Sequence, residues 1–353
     1  MSEIKYILVT RFSAMGDVAL TVPVIRGFLK DYPDYQIVFV TRKMFFPFFA
    51  NIERLNLVAF DPKGKHSGML GMYRLAKEIN LQYKIELMID LHNVLRTHLL
   101  SFFLKKSGVF RLDKGRDEKN LLTRKKDKVR KVLKHMTDRY AEVFGKAGLP
   151  SRVLVGPWLI PEPASEEAEK VLAVIKKDKM IFASIGIAPF AKHQAKMWPI
   201  EKTRKVIELL SSTKKVKVYL FGAAGSEATI LKLIAETHPN VMNLAGVLSF
   251  SDEINIMKEL KIMMTMDSGN MHLASLAGTR VLSVWGATHP DVGFAPLGDN
   301  QAIMMQANEE EVSCRPCSVF GDKPCFRGDY LCMNSVSVES VFKKLCLESG
   351  VLL

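Results

Sequence analysis

Short runs of Ile, Val and Leu recur along the chain, and between them apolar positions return every three or four residues. KYILVT, QIVFV, LNLVAF and IELMIDL in the first half read as strands, and stretches such as GMYRLAKEIN as the helices that separate them. Strands that are apolar on both sides belong to a parallel sheet covered on both faces, so the pattern predicts an α/β architecture. GLPSRVLVGPWLIPEPASEE breaks the rhythm with four prolines between Pro150 and Pro163 and reads as an interdomain linker. Beyond it MIFASIGI, KVKVYLFG, VMNLAG, KIMMTMD and RVLSVWG restart the alternation. Two doubly wound domains are predicted, residues 1–155 and 165–353, facing across a cleft, with the C-terminal helix able to fold back on the first. Ligands of such sheets bind beyond the carboxyl ends of the strands, which singles out the turns that follow them.

The first such turn holds Ser13, Gly16 and Asp17, between a strand ending near Thr10 and a helix expected from about Val18. Asp17 has two readings: a helix cap, or a carboxylate able to accept a proton in general-base catalysis. In the second domain, GIAPFAKHQAKMWP carries Lys192, His193 and Lys196, FGAAGSEATI carries Gly222 and Glu227, and MDSGNMHLASLAG carries Asp267, Ser268, Gly269 and His272. Orphan amides at helix starts attract anions, and Lys196 adds a full charge, so the three turns suit a phosphate. Neither G-x-x-x-x-G-K-[ST] nor G-x-G-x-x-G occurs, which predicts a diphosphate held by scattered turns. DLHNVLRTHLL offers His92, Asn93 and Arg96 as acceptor contacts, alongside the plainer reading of a solvated helix face.

With 353 residues, 48% of them hydrophobic and 25% charged, the chain can bury the core of two domains. It has no apolar run of the roughly 18 residues that a membrane span needs, and Glu3 stands where a secretory leader is basic, so the expected location is the cytoplasm. The net charge is +13, and Lys105 to Arg139 supplies +9 of it, with fourteen Lys/Arg against five Asp/Glu. A solvated surface accounts for such a run; so does attraction to a polyanion. Because aromatic residues are not interleaved with the cations, a phosphorylated glycolipid at an anionic membrane surface ranks above nucleic acid. Cys314, Cys317, Cys325 and Cys332 follow the spacing C-x2-C-x7-C-x6-C, which leaves a structural zinc and free or reversibly oxidised thiols as open readings.

ILVTRFSAMGDVALTVPVIRGFLKDYP, KMWPIEKTRKVIEL and DSGNMHLASLAGTRVLSVWGATHP resemble, in order, the signature blocks of family-9 glycosyltransferases, the ADP-heptose:lipopolysaccharide heptosyltransferases. The resemblance continues through HMTDRYAEVFGKAGLP and CRPCSVFGDKPCFRGDYLCM. It implies a GT-B fold of two Rossmann-like domains, acceptor on the first and nucleotide sugar on the second, with inverting transfer that requires no metal or other cofactor. On the matching positions it implies Asp17 as base and Lys196 as phosphate-binding lysine. Asp267, Ser268, Gly269 and His272 become donor contacts, with Ser13, Gly16, Lys192, Gly222 and Glu227 beside them. The implied partners are ADP-heptose and an anionic lipopolysaccharide-type acceptor, with the inner membrane face as a peripheral address. Two other readings share the architecture: a nucleotide-sugar 2-epimerase, and a nucleotide-sugar or polyanion binder without catalysis.

Overall fold

The computed structural model describes residues 4–105, 108–177, 182–298 and 302–351. Met180 and Ile181, with which one expected strand opens, and Lys106 and Ser107 of the basic run lie outside them. The described chain divides into two compact units: residues 4–116 with 134–160, and residues 117–133 with 161–351.

The first unit is built on five parallel strands: β1 (Lys5–Thr10), β2 (Tyr35–Thr41), β3 (Leu55–Ala59), β4 (Ile85–Asp90) and β5 (Val109–Arg111). Their order is β3-β2-β1-β4-β5. β1 lies at the centre, and Ile7, Leu8 and Val9 are fully buried. This explains why the strand is continuously apolar rather than alternating. On one face, Leu8, Val38, Val40 and Met88 pack with Met72, Leu75, Ala76 and Ile79 of the helix Gly68–Gln82 and with Leu100 and Leu104 of the helix Leu95–Leu104. Spacings of three and four residues bring those side chains onto one stripe of each helix.

The second unit has six parallel strands: β6 (Ala183–Ala188), β7 (Val216–Leu220), β8 (Val241–Asn243), β9 (Ile262–Met266), β10 (Val281–Trp285) and β11 (Ile303–Gln306). Their order is β11-β10-β9-β6-β7-β8. The strand order turns outward between β1 and β4 in one sheet and between β6 and β9 in the other. Those points are where doubly wound sheets open a ligand crevice beyond the strand ends.

The C-terminal helix, Val338–Ser349, packs on the helix Ile200–Ser212 and on β9, and Val341, Leu345 and Cys346 join the core of the second unit. Residues 117–133, inside the expected first domain, belong to the second unit. Leu122 and Leu133 pack with Val292, Leu133 N–H donates to Asp291 O at 2.9 Å, and Lys128 Nζ donates to Cys314 O at 2.8 Å.

Candidate active site

In the first unit, the turn after β1 carries the candidate base. A short helix runs from Met15 to Ala19, and Ala14 occupies its cap position. Asp17 is therefore the third residue of the helix, not its cap, and the helix starts three residues earlier than the sequence predicts. From there Asp17 Oδ2 accepts the Ala14 N–H at 3.4 Å. The same oxygen pairs with Arg11 Nη2 at 2.8 Å, and the Tyr140 hydroxyl lies 3.5 Å from Oδ1. Arg11 is itself fixed: its Nη1 donates to Leu91 O at 2.7 Å and its guanidinium lies 5.8 Å from the centre of the Tyr140 ring. Burial alone would lower the Arg11 pKa, but Asp17 and its other neighbours hold it above the ordinary value. Burial pushes the Tyr140 phenol up, so it remains a donor at neutral pH. Ser13 is partly exposed and Gly16 buried in the same turn.

The turn after β4 stands beside this pair. Asp90 is fully buried and accepts the Thr10 hydroxyl and the backbone N–H groups of His92 and Asn93. His92 Nδ1 faces the Phe12 N–H at 3.4 Å. Burial, then the charges of Arg11 and Lys114, lower the His92 pKa to about 3. His92 is thus a neutral imidazole that presents Nε2–H as a donor. Asn93 adopts a left-handed conformation with φ 47°. Its side chain is committed, donating to Leu112 O at 2.8 Å and facing His98 Nε2 at 2.9 Å, so it serves the turn. Arg96 is exposed on the following helix. Arg11, Tyr140, Asp90 and Lys114 escaped the sequence reading. Tyr140 belongs to HMTDRYAEVFGKAGLP, but its pairing with Asp17 spans 123 residues.

The second unit gathers Lys196 and Asp267 from the turns after β6 and β9. Lys196 Nζ is 2.8 Å from Asp267 Oδ2, and both side chains are largely buried. The Thr288 hydroxyl donates to the same oxygen at 2.7 Å. Ser268 caps the helix Gly269–Ala277 without a side-chain hydrogen bond, and its buried Oγ has no partner among the described residues. The amides of Gly269, Asn270 and Met271 begin that helix, where no intrahelical acceptor exists for them. His272 is buried one turn in. Gly222 lies early in the turn after β7, where Glu227 Oε2 accepts the Ala223 N–H at 2.8 Å and leaves its other oxygen uncommitted to that bond. Lys192 is exposed and His193 partly so.

Two supports beneath this cluster were invisible in the sequence. A Cβ on Gly321, which has φ +72°, would lie 2.4 Å from Lys196 Cγ. A side chain there would push the lysine stem aside. Arg315, also buried, donates from Nε to Gly286 O at 2.6 Å and from Nη2 to Thr288 O at 3.1 Å, pinning the turn after β10.

The cysteines do not form the four-thiol zinc arrangement. All five are free, and among the described residues no three His, Cys, Asp or Glu side chains form a metal-holding group. Burial lifts Cys332 to about 11 and also raises Cys317. Cys332 instead joins the hydrophobic core, with Cys314 packed against it.

A profile of glycosyltransferase family 9 (heptosyltransferase) matches residues 72–320. Lipooligosaccharide heptosyltransferase 2 of Haemophilus influenzae is 27% identical over 329 residues, covering 90% of this chain and 92% of that one. Among solved structures, a family-9 glycosyltransferase from Veillonella parvula superposes with a TM-score of 0.77 at 20% identity, covering 99% of this chain and 98% of that one. The Escherichia coli heptosyltransferase WaaC, solved with ADP, gives 0.66 at 20% identity, covering 98% and 99%. Those neighbours share the GT-B fold of two parallel α/β sheets. The match spans well over half of the sequence, and the chain belongs to glycosyltransferase family 9, the heptosyltransferases.

Proposed function

We propose that the chain transfers a heptose, with inversion, from ADP-heptose to a lipopolysaccharide-type acceptor. One observation carries the reading: the turns at the two strand-order reversals hold an oriented carboxylate in one unit, and in the other a buried lysine beside the open N-terminus of a helix. The relatives' own substrates, lipooligosaccharide heptose transfer and bound ADP, support the choice of donor and acceptor.

In this mechanism an acceptor hydroxyl oxygen forms a bond to the anomeric carbon while its proton passes to Asp17. The bond from the anomeric carbon to the diphosphate oxygen breaks, and its electron pair leaves with the nucleoside diphosphate. Arg11 and Tyr140 hold the carboxylate in place so that no reorientation is needed in the transition state. Lys196 and the amides at Gly269–Met271 meet the charge on the leaving group in place of a divalent ion. Asp267 Oδ2 is taken by Lys196 and Thr288, which leaves Oδ1 for a sugar hydroxyl. The unpartnered Ser268 hydroxyl gains a bond when phosphate arrives, recovering about 1–3 kcal/mol of desolvation. Glu227 suits the ribose hydroxyls, and His92 Nε2–H a polar group of the acceptor. The protein works in the cytoplasm at the inner membrane face.

The test is release of ADP from ADP-heptose with a lipopolysaccharide-core acceptor in EDTA. Asp17→Asn is expected to lower turnover about 10²- to 10⁴-fold while the donor still raises the melting temperature as in the wild type. Turnover within threefold of the wild type would remove Asp17 from the role of base. Sugar released or epimerised without acceptor would instead favour the epimerase reading.

A further inference from the structure

The helices Gly68–Gln82 and Leu95–Leu104 pack side by side and already bury one apolar stripe each in the core of the first unit. An ordinary surface helix would be polar on its other side. Here Met69, Leu70, Tyr73, Leu95 and Phe102 are 49–76% exposed. They are not scattered. Met69, Leu70 and Tyr73 share one face by their spacing of three and four. Tyr73 meets Phe103 edge to face at 5.6 Å, and Phe103 meets Phe102 at 5.4 Å, so the two helices expose one connected apolar surface.

The charges around it have one sign. Lys63 to Lys77 contains Lys63, Lys65, Arg74 and Lys77 and no acid, and no acid occurs from His92 to Leu112. Glu78, the first acid on the first helix, is taken by Lys65 at 2.8 Å and His66 at 3.4 Å. Arg74, Lys77, Arg96 and Lys105 are left exposed.

We infer that this two-helix face is a docking surface for an anionic phospholipid bilayer. Bulky apolar and aromatic side chains enter the boundary between headgroups and acyl chains, and the surrounding cations are attracted to the leaflet charge. No helix among the described residues is long and apolar enough to cross a membrane. A second copy of the chain is disfavoured, because a two-fold interface on this face would set cations against cations. The inference deepens the glycolipid reading above, but its readout is vesicle binding, which Asp17→Asn leaves intact.

The experiment is co-sedimentation of the full chain with vesicles of phosphatidylglycerol and phosphatidylethanolamine, compared with phosphatidylcholine alone. The wild type should bind the anionic vesicles, and binding should weaken in high salt. Leu70→Glu and Phe102→Glu should each lower the partition coefficient about tenfold or more, and Arg74→Glu about fivefold, with melting temperatures unchanged because these side chains are exposed. Phe102→Trp gives a second reading: its emission should shift to the blue and be quenched by brominated lipid. The inference is overturned if the wild type ignores anionic vesicles, or if Leu70→Glu and Phe102→Glu bind as well as the wild type. It is equally overturned if the chain is a dimer that Phe102→Glu dissociates and that has no affinity for vesicles. Transfer to a water-soluble acceptor with vesicle binding absent would leave the transferase reading standing and remove this one.

Discussion

Exchanging Lys196 for Met and Asp267 for Asn, singly and together, separates what this pair does for folding from what the lysine does for transfer. The two charges are 2.8 Å apart, with side-chain exposures of 16% and 7%. Removing the lysine strands a buried carboxylate beside the Thr288 hydroxyl, at a cost of about 3 kcal/mol. For a unit of this size that is a fall of roughly 6–12 °C in Tm. Asp267→Asn strands the more exposed partner, whose flexible stem can turn toward water, and should cost about 1–2 kcal/mol. Together the substitutions remove both charges and should recover most of the loss, for a coupling of about 2–3 kcal/mol. Activity should follow a different pattern. Lys196→Met and the double variant should both lose about two to three orders of magnitude in turnover, because the leaving group meets no cation in either. Scanning fluorimetry gives the first quantity and nucleoside diphosphate release the second. A double variant no more stable than Lys196→Met would refute the coupling, and Lys196→Met with turnover near that of the wild type would refute the lysine's catalytic role.

Three further outcomes follow from the same geometry. Gly321→Ala should displace the Lys196 stem and add about 1 kcal/mol of backbone strain at φ +72°, lowering turnover about ten- to a hundredfold with a small loss of Tm. His92 has a folded pKa of about 3 against an ordinary 6.5, so its contribution is present above pH 6.5 and is lost as pH falls toward 3. Urea unfolding at pH 7 and pH 4 should show wild type losing about 3 kcal/mol more than His92→Gln. Glu253 behaves oppositely. Burial, then the nearby Asp252, raises it to about 8, so its contribution is full below pH 4.5 and is lost as pH rises through 8. Glu253→Gln should therefore gain about 3 kcal/mol on wild type between pH 5 and pH 8, read from the same unfolding curves.

Hydrophobic patterning made most of the fold legible because the central strands are buried on both faces and so are apolar without interruption. β5 and β11 were missed for a physical reason. Val109–Arg111 is three residues inside a basic run, and Ile303–Gln306 is an edge strand whose alternate positions are half exposed. The candidate site was legible as separate turns, but not as pairs. Lys196 and Asp267 are 71 residues apart, and nothing local to either predicts an ion pair. Asp17 was legible as a residue in a turn, but its partners Arg11 and Tyr140 emerge only when β1 and the helix Met136–Lys146 are assembled. The cysteine spacing left zinc and free thiols both open, and the assembled fold shows five free cysteines with Cys332 in the hydrophobic core.

The affiliation of residues 117–133 with the second unit changes what a cut in the chain can do. The backbone passes from one unit to the other three times, near 116, 133 and 160. A protease that nicks the proline-rich stretch would leave the halves tethered twice over. A fragment ending at residue 155 would carry Leu122 and Leu133 away from Val292 and Phe294 and leave greasy surface on both products. Expressing either half alone calls for a seam that follows the fold, with 117–133 grafted onto the later portion.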